Sequence, residues 1–239
     1  VFPYLYLKIK LEGIKPKLSV KHLVIDEMQD YSVVQYKVLS LLYPCKKTIL
    51  GDINQSVNPF SSSNLNTIQS IFDGATTMTM LKSYRSTYEI TQFTKQISQK
   101  VNVEAIERHG ENPQIILCKN AKEELEHIKS RILNFEQSTF NSLGIICKTQ
   151  KQANIIFEQL KDKSNVKLLN EKSSAFGSGI VITTAHLAKG LEFDSVIVPD
   201  VTAKNYHTEP DKQMLYVACT RAMHQLFLTY SGELSALIS

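Results

Sequence analysis

The 239 residues are 43% apolar and 21% charged, with nine glycines and seven prolines. This is a globular composition large enough to bury a core, and it excludes collagen-like, coiled-coil and wholly disordered chains. No apolar run approaches the roughly 18 residues of a membrane-spanning helix, so a transmembrane protein of that kind is not expected; the formal charge of +4, from 27 Lys+Arg against 23 Asp+Glu, is mild and scattered, permitting nucleic-acid binding without demanding it.

In chain order, short runs rich in Val, Ile and Leu read as strands: HLVI (22–25), TIL (48–50), MTML (78–81), QIILC (114–118), LGIIC (143–147), GIVITT (179–184), SVIVP (195–199) and QLFLTY (225–230). Each is apolar on both faces, the signature of strands inside a parallel sheet. Between them Val34, Val38 and Leu41, then Ile90, Phe93, Ile97 and Val101, then Leu125, Ile128, Ile132 and Phe135, then Ala153, Ile156 and Leu160 recur at three- and four-residue steps. Such stripes predict amphipathic helices. Strand and helix in alternation predict right-handed βαβ units and an α/β fold with a parallel sheet flanked by helices. The polar stretches 54–67, 107–113 and 203–212 read as loops, the first as a seam between two units.

Cys45, Cys118, Cys147 and Cys219 form no CxxC pair, so neither a zinc site nor a disulfide framework is indicated. Free thiols in apolar runs suit a reducing cytoplasm, and there is no secretory signal pattern. The sequence starts at Val1, which fits either loss of an initiator or an excised fragment of a longer protein.

Five strings carry chemistry. In HLVIDEMQD (22–30) an apolar run ends in Asp26 and Glu27, where sheets of this class place ligands. The pair would divide nucleotide hydrolysis between Mg²⁺ binding and water activation, or would cap the helix starting near Ser32. TILGDINQ (48–55) ends in Gly51-Asp52 with Gln55 behind it, either a γ-phosphate sensor or a turn. In LKSYRSTYE (81–89) Arg85 can reach a phosphate and Tyr84 offers a flat face to a base, with Ser86 or Thr87 as helix cap; alone, Arg85 reads as a surface residue. ITTAHLAKGLEFD (182–194) carries Thr184, His186 and Glu192 after a strand, in what would otherwise be a plain loop. LYVACTRA (215–222) places Arg221 late in a helix, where its charge also suits the dipole.

The order of these strings resembles motifs II to VI of the UvrD/Rep-type superfamily 1 DNA helicases, and the wording around DEMQD and GDINQ is most similar to the HelD branch, helicase-like ATPases that engage bacterial RNA polymerase. The resemblance runs from about residue 18 to 230. It implies RecA-like architecture, one complete unit plus part of another: residues 1–75 as the C-terminal part of the first RecA-like domain and 76–239 as the second. It implies ATP between the two, with Mg²⁺ on Asp26, water activation by Glu27, and γ-phosphate contacts from Gln55, Arg85 and Arg221, the arginines acting as fingers in cis. Tyr84 would stack on adenine and Glu192 would bond the ribose. Phe60, Thr184 and His186 would face single-stranded or duplex DNA, and RNA polymerase is the protein partner the branch implies.

Three departures bear on these expectations. None of the nine glycines is followed by Lys, so the phosphate cradle G-x-x-x-x-G-K-[ST] is missing. The chain therefore reads as the C-terminal part of a longer protein whose N-terminal P-loop domain completes the site, and alone it is expected to turn over no significant ATP. Asn58 and Phe60 stand where the family often has stacking Tyr and Trp, which weakens base stacking worth roughly 1–3 kcal/mol per base and fits a translocase better than a processive helicase. Only about 100 residues separate SYRS from TAHLAKG, too few for the accessory 2B domain. Two competing readings are a non-catalytic RecA-like module docking on RNA polymerase or DNA, and a metal nuclease built on Asp26, Glu27 and Asp30. The latter lacks a further acid or Lys cluster. The N-terminal piece, short of its P-loop strand, is expected to present an exposed sheet edge.

Overall fold

The structure is a computed structural model that describes residues 1–52, 55, 65–98, 103–162, 165–170 and 178–238. Phe60 and Asn58 lie outside the described residues. The chain divides into two compact units, Val1–Met80 and Leu81–Ser239.

The first unit opens on helix α1 (Phe2–Glu12), which the residue pattern had not announced, and continues through strand β1 (His22–Ile25), a 3₁₀ turn (Met28–Asp30), helix α2 (Val33–Leu42), strand β2 (Lys46–Ile49) and helix α3 (Leu65–Ile71). Strands β1 and β2 pair in parallel, His22 opposite Lys46 through Ile25 opposite Ile49. One side of this ribbon packs on the helices: Ile25, Met28, Tyr36 and Ile68 form the buried centre, with Leu23, Leu39, Ile49 and Phe72 against it. Val24 is 61% exposed. The expectation that these strands are buried on both faces therefore fails here, because a two-stranded sheet with helices on one side leaves alternate side chains uncovered. Helix α2 starts at Ser32, whose hydroxyl accepts from the Gln35 amide while Gln35 reaches back to the Ser32 N–H, a reciprocal cap. Ser32 fills the capping role, so Asp26 and Glu27 are not needed for it.

The second unit holds a short parallel pair, β3 (Lys82–Ser83) with β4 (Glu104–Ala105), and a six-stranded sheet. Between β3 and β4 lies helix α4 (Tyr88–Ile97). The large sheet contains β5 (Gln114–Cys118), β6 (Ser142–Cys147), β7 (Val166–Leu168), β8 (Gly179–Thr184), β9 (Phe193–Val198) and β10 (Ala222–Ser231), interleaved with helices α5 (Ala121–Glu136), α6 (Gln150–Leu160) and α7 (Glu209–Cys219). Its order is β5-β10-β9-β6-β8-β7 and every pairing is parallel. MTML (78–81) is not a strand: Met78 and Met80 are exposed, and pairing begins only at Lys82. Strand β5 is an edge, and there Ile115 and Leu117 face out while Cys118 is buried.

The period-2 alternation of the central strands feeds two cores. Ile146, Val181, Val196, Val198, Leu226 and Leu228 point to one face and meet Ile90 and Ile97 of α4 and Leu215 and Ala218 of α7. Leu143, Ile145, Ile180, Ile182, Ile197 and Phe227 point to the other and meet Ile128 and Ile132 of α5 and Ala153, Ile156 and Leu160 of α6. The fold is thus a parallel sheet with helices on both faces, the RecA-like class. Among the described residues no helix is long and apolar enough to cross a membrane. Cys118, Cys147 and Cys219 are buried free thiols.

Candidate functional site: two motif clusters

In the first unit the DEMQD and GDINQ strings converge where β1 and β2 end. Asp26 is exposed and its Oδ1 accepts the Glu27 N–H at 2.8 Å. Glu27 sits in the left-handed region, φ 53° and ψ 48°, unusual for a side-chain-bearing residue and costing about 1–2 kcal/mol. Such conformations concentrate at functional sites. Its carboxylate is held by Gln29, a residue without a role in the motif resemblance. Gln29 is 1% exposed; its Nε2 donates to Glu27 Oε2 at 2.6 Å and its Oε1 accepts the Asp52 N–H at 3.1 Å. Gln55 Nε2 donates in turn to Asp52 Oδ2 at 3.0 Å. One buried amide thus ties the Asp-Glu end of β1 to the Gly-Asp loop after β2. The available signal was position: a buried amide three residues after Asp26, where the apolar pattern alone predicts nothing.

Gly51 makes this possible. A Cβ there would lie 2.4 Å from Gln29 Oε1 and 2.6 Å from the Met28 backbone N. We expect Gly51→Ala to push the Gly-Asp loop off Gln29 and destabilise the first unit by roughly 1–3 kcal/mol, as overpacking does. A thermal melt checks this, and a melting temperature equal to the parent would contradict it.

In the second unit Tyr84 and Arg85 lie just after β3, Tyr84 67% exposed. Arg85 Nε contacts Glu192 Oε1 at 2.6 Å, with both side chains over a third exposed. A pair this exposed contributes little to stability and is readily exchanged for another anion. Arg221 follows α7 rather than lying inside it, and it is 1% exposed. Its Nε donates to Val217 O at 3.1 Å, Nη1 to Leu191 O at 3.4 Å and Nη2 to Thr220 Oγ1 at 3.2 Å. It therefore also serves the helix carbonyls, as its charge at a C-terminus allows. Neither Ser86 nor Thr87 caps α4 with its side chain. Ser86 Oγ instead donates to Ala222 O at 2.6 Å, pinning the SYRS turn to the residue after Arg221. Tyr84, Arg85, Glu192 and Arg221 are thereby gathered in one neighbourhood.

Thr184 and His186 lie at the other end of the sheet, where β8 terminates. Thr184 is buried and its Oγ1 accepts from Leu187 N at 3.4 Å, shaping the turn, while His186 is exposed.

A buried ion pair supports the same end. Lys148 Nζ is 2.6 Å from Asp211 Oδ1, with side chains 17% and 7% exposed. Burial opposes ionisation of Asp211, but Lys148, the His207 and Thr208 N–H groups and the Thr208 hydroxyl outweigh it and hold the carboxyl well below the usual range. A carboxyl depressed in the folded state stabilises the fold above its unfolded pKa of about 3.9 and loses that contribution as pH falls through the folded value. Lys148→Met is expected to cost about 3–5 kcal/mol by leaving the buried Asp211 carboxylate without its lysine counter-ion. Asp211→Asn is expected to flatten the acid limb of stability below about pH 4. Chemical denaturation across pH measures both; an unchanged acid limb in Asp211→Asn would contradict the assignment.

A parallel sheet with helices on both faces, carrying motif strings at its strand ends, is the RecA-like type of domain. Residues 15–76 match the UvrD/REP helicase N-terminal domain and 179–229 the UvrD-like helicase C-terminal domain. The crystal structure of the C-terminal domain of a possible DNA helicase from Lactobacillus plantarum WCFS1 superposes with a TM-score of 0.56 at 32% identity, covering 66% of this chain and 92% of that one. A protein of Acanthamoeba polyphaga mimivirus named as an ATP-dependent DNA helicase is 28% identical over 90% of this chain. ATP-dependent DNA helicase Rep of Buchnera aphidicola is 25% identical over 52% of it. The chain belongs to the UvrD/Rep-type helicases of superfamily 1. It spans only 36% and 20% of the lengths of the mimivirus and Buchnera relatives.

Proposed function

We propose that this chain is the C-terminal portion of an ATP-dependent superfamily 1 DNA helicase or translocase, whose P-loop is supplied by upstream sequence. Each unit contributes to ATP hydrolysis. In the first, Glu27 orients the attacking water and takes its proton as the water's oxygen bonds to the γ-phosphorus and ADP departs. Asp26 would hold Mg²⁺ through water. Its exposed carboxylate has one oxygen committed to the Glu27 N–H, which leaves the other for that role and fits a cation that takes one protein carboxylate plus phosphates. The cation would offset phosphate charge. Gln55 senses the γ-phosphate from the loop that Gln29 ties to Glu27. From the second unit Arg85 and Arg221 offset the charge of the transferred group, Tyr84 stacks on adenine and Glu192 bonds the ribose.

The observation that carries this reading is the cluster in the second unit. Arg85 already holds an anion, Glu192, and Arg221 bonds the carbonyl of Leu191 beside it. Thr184 and His186, at the opposite end of the sheet, would face single-stranded or duplex DNA; Phe60 would add a smaller stacking platform. The HelD-like wording supports bacterial RNA polymerase as the protein partner, the free thiols support a cytoplasmic setting, and the short span between SYRS and TAHLAKG supports a motor built without a 2B domain.

A second reading, a docking module without catalysis, draws on the burial of Arg221, whose guanidinium is engaged by carbonyls and a hydroxyl. Steady-state ATPase assays on the P-loop-bearing protein separate the two. The motor reading predicts that Arg85→Ala and Arg221→Ala each abolish turnover; the docking reading predicts that both leave it unchanged.

A further inference from the structure

We propose that Arg108 is a positioning residue for the two γ-phosphate arginines, clamping the turn that carries Arg85 to the segment that follows Arg221. The proposal rests on the ATPase reading above. Nothing in the motif strings includes Arg108, which sits in the polar stretch 107–113.

Arg108 Nη2 donates to two backbone carbonyls that lie far apart in the chain. One is Arg85 O, and the other is Met223 O at 3.2 Å. The Arg108 carbonyl meanwhile accepts the Tyr88 N–H at 2.8 Å, the first amide of α4. Met223 O also accepts the Thr87 N–H at 3.1 Å, and Ala222 O accepts Ser86 Oγ. The 85–88 turn and the 222–223 segment are thus stitched at three points, and the guanidinium is the only one of these groups that bonds both sides with a single nitrogen.

Neighbours hold Arg108 in place. Glu89 accepts from Gly110 N and pairs with His109, each at 2.8 Å. Gly110 packs so closely that a Cβ would sit 2.7 Å from Thr87 Cγ2. Arg108 has no carboxylate partner among the described residues, and its Nε is buried without a hydrogen-bond partner there. A permanent cation kept half-buried on carbonyls alone is expensive for mere packing. A charged planar donor is, however, suited to fixing two carbonyls at one distance. If Arg85 and Arg221 act on one phosphoryl group, their spacing has to be held to a fraction of an ångström, because a 1 Å misplacement costs about 100-fold in rate.

The test pairs two measurements on Arg108→Met, with Arg108→Gln as the smaller change should the Met variant fail to fold. The first is hydrogen exchange on the 239-residue chain. The clamp predicts that the Thr87 and Tyr88 amides exchange about tenfold faster or more, while β6 and α5 keep their protection. The second is ATPase kinetics on the P-loop-bearing protein. There kcat should fall roughly 10–100-fold with little change in KM for ATP, Arg108→Lys should recover part of it, and Arg85→Ala with Arg108→Met should be no slower than Arg85→Ala alone, as expected of residues acting through one element. Unchanged exchange at Thr87 and Tyr88 overturns the clamp. Loss of activity in Arg85→Ala with full kcat in Arg108→Met, or additive losses in the double variant, overturns the positioning role. Full activity in Arg85→Ala overturns the ATPase reading itself, and the positioning role with it, while the exchange result still decides the clamp.

Discussion

Glu27→Gln in the P-loop-bearing protein is expected to lower the ATPase kcat by about 10²–10⁴-fold, the range over which a positioned general base contributes. The amide keeps the size of the carboxylate and can still contact Gln29, so the β1 end should remain folded and ATP should still bind. Only the capacity to take a proton from water is removed. The left-handed backbone at Glu27 aims this side chain and is the same in the variant. Rapid-quench turnover with a parallel nucleotide-binding titration separates the two effects. Loss of binding along with kcat would show that Glu27 maintains the site's shape rather than its chemistry.

Arg85→Ala is expected to have a comparable or larger effect, roughly 10³–10⁵ in kcat, as for arginine fingers in related phosphoryl transfer. Its stability cost should be small, because its pair with Glu192 is more than a third exposed on both sides. Arg221→Ala shares the kinetic expectation but not the structural one. Removing this guanidinium takes the Arg221 donor from Leu191 O and leaves Val217 O with the Thr220 hydroxyl in its place. Arg85 is therefore the cleaner probe. Single-turnover ATPase kinetics on Arg85→Ala, with a melt to confirm the fold, measures the effect; full turnover would remove this arginine from the chemistry.

The architecture was legible to the extent that it is written in periodicity. Runs such as GIVITT and LGIIC show no alternation of apolar and charged positions because the central strands feed a core on each side, and 125–135 and 153–160 show helical stripes because α5 and α6 cover only one face. The pattern misled where burial is one-sided or absent. MTML is mostly apolar, but among the described residues Met78 to Met80 join no strand pairing. Strands β3, β4 and β7, of two or three residues, are too short to carry a period, and α1 has no strong stripe. The site was legible as strings and not as geometry. Gln29 and Arg108 act through hydrogen bonds to residues 23 or 115 positions away, a relation that spacing cannot express. The Lys148–Asp211 pair likewise joins the loop after β6 to the first turn of α7, two segments that only the sheet topology brings together.

The most direct test of the central claim is Mg²⁺-dependent ATP hydrolysis by this 239-residue chain, assayed alone and again when joined to an upstream unit bearing G-x-x-x-x-G-K-[ST]. The account predicts no significant turnover alone and turnover that depends on Glu27 and Arg85 once the cradle is present. Robust hydrolysis by the chain alone that disappears in Glu27→Gln, or a joined protein that stays inert, would contradict it.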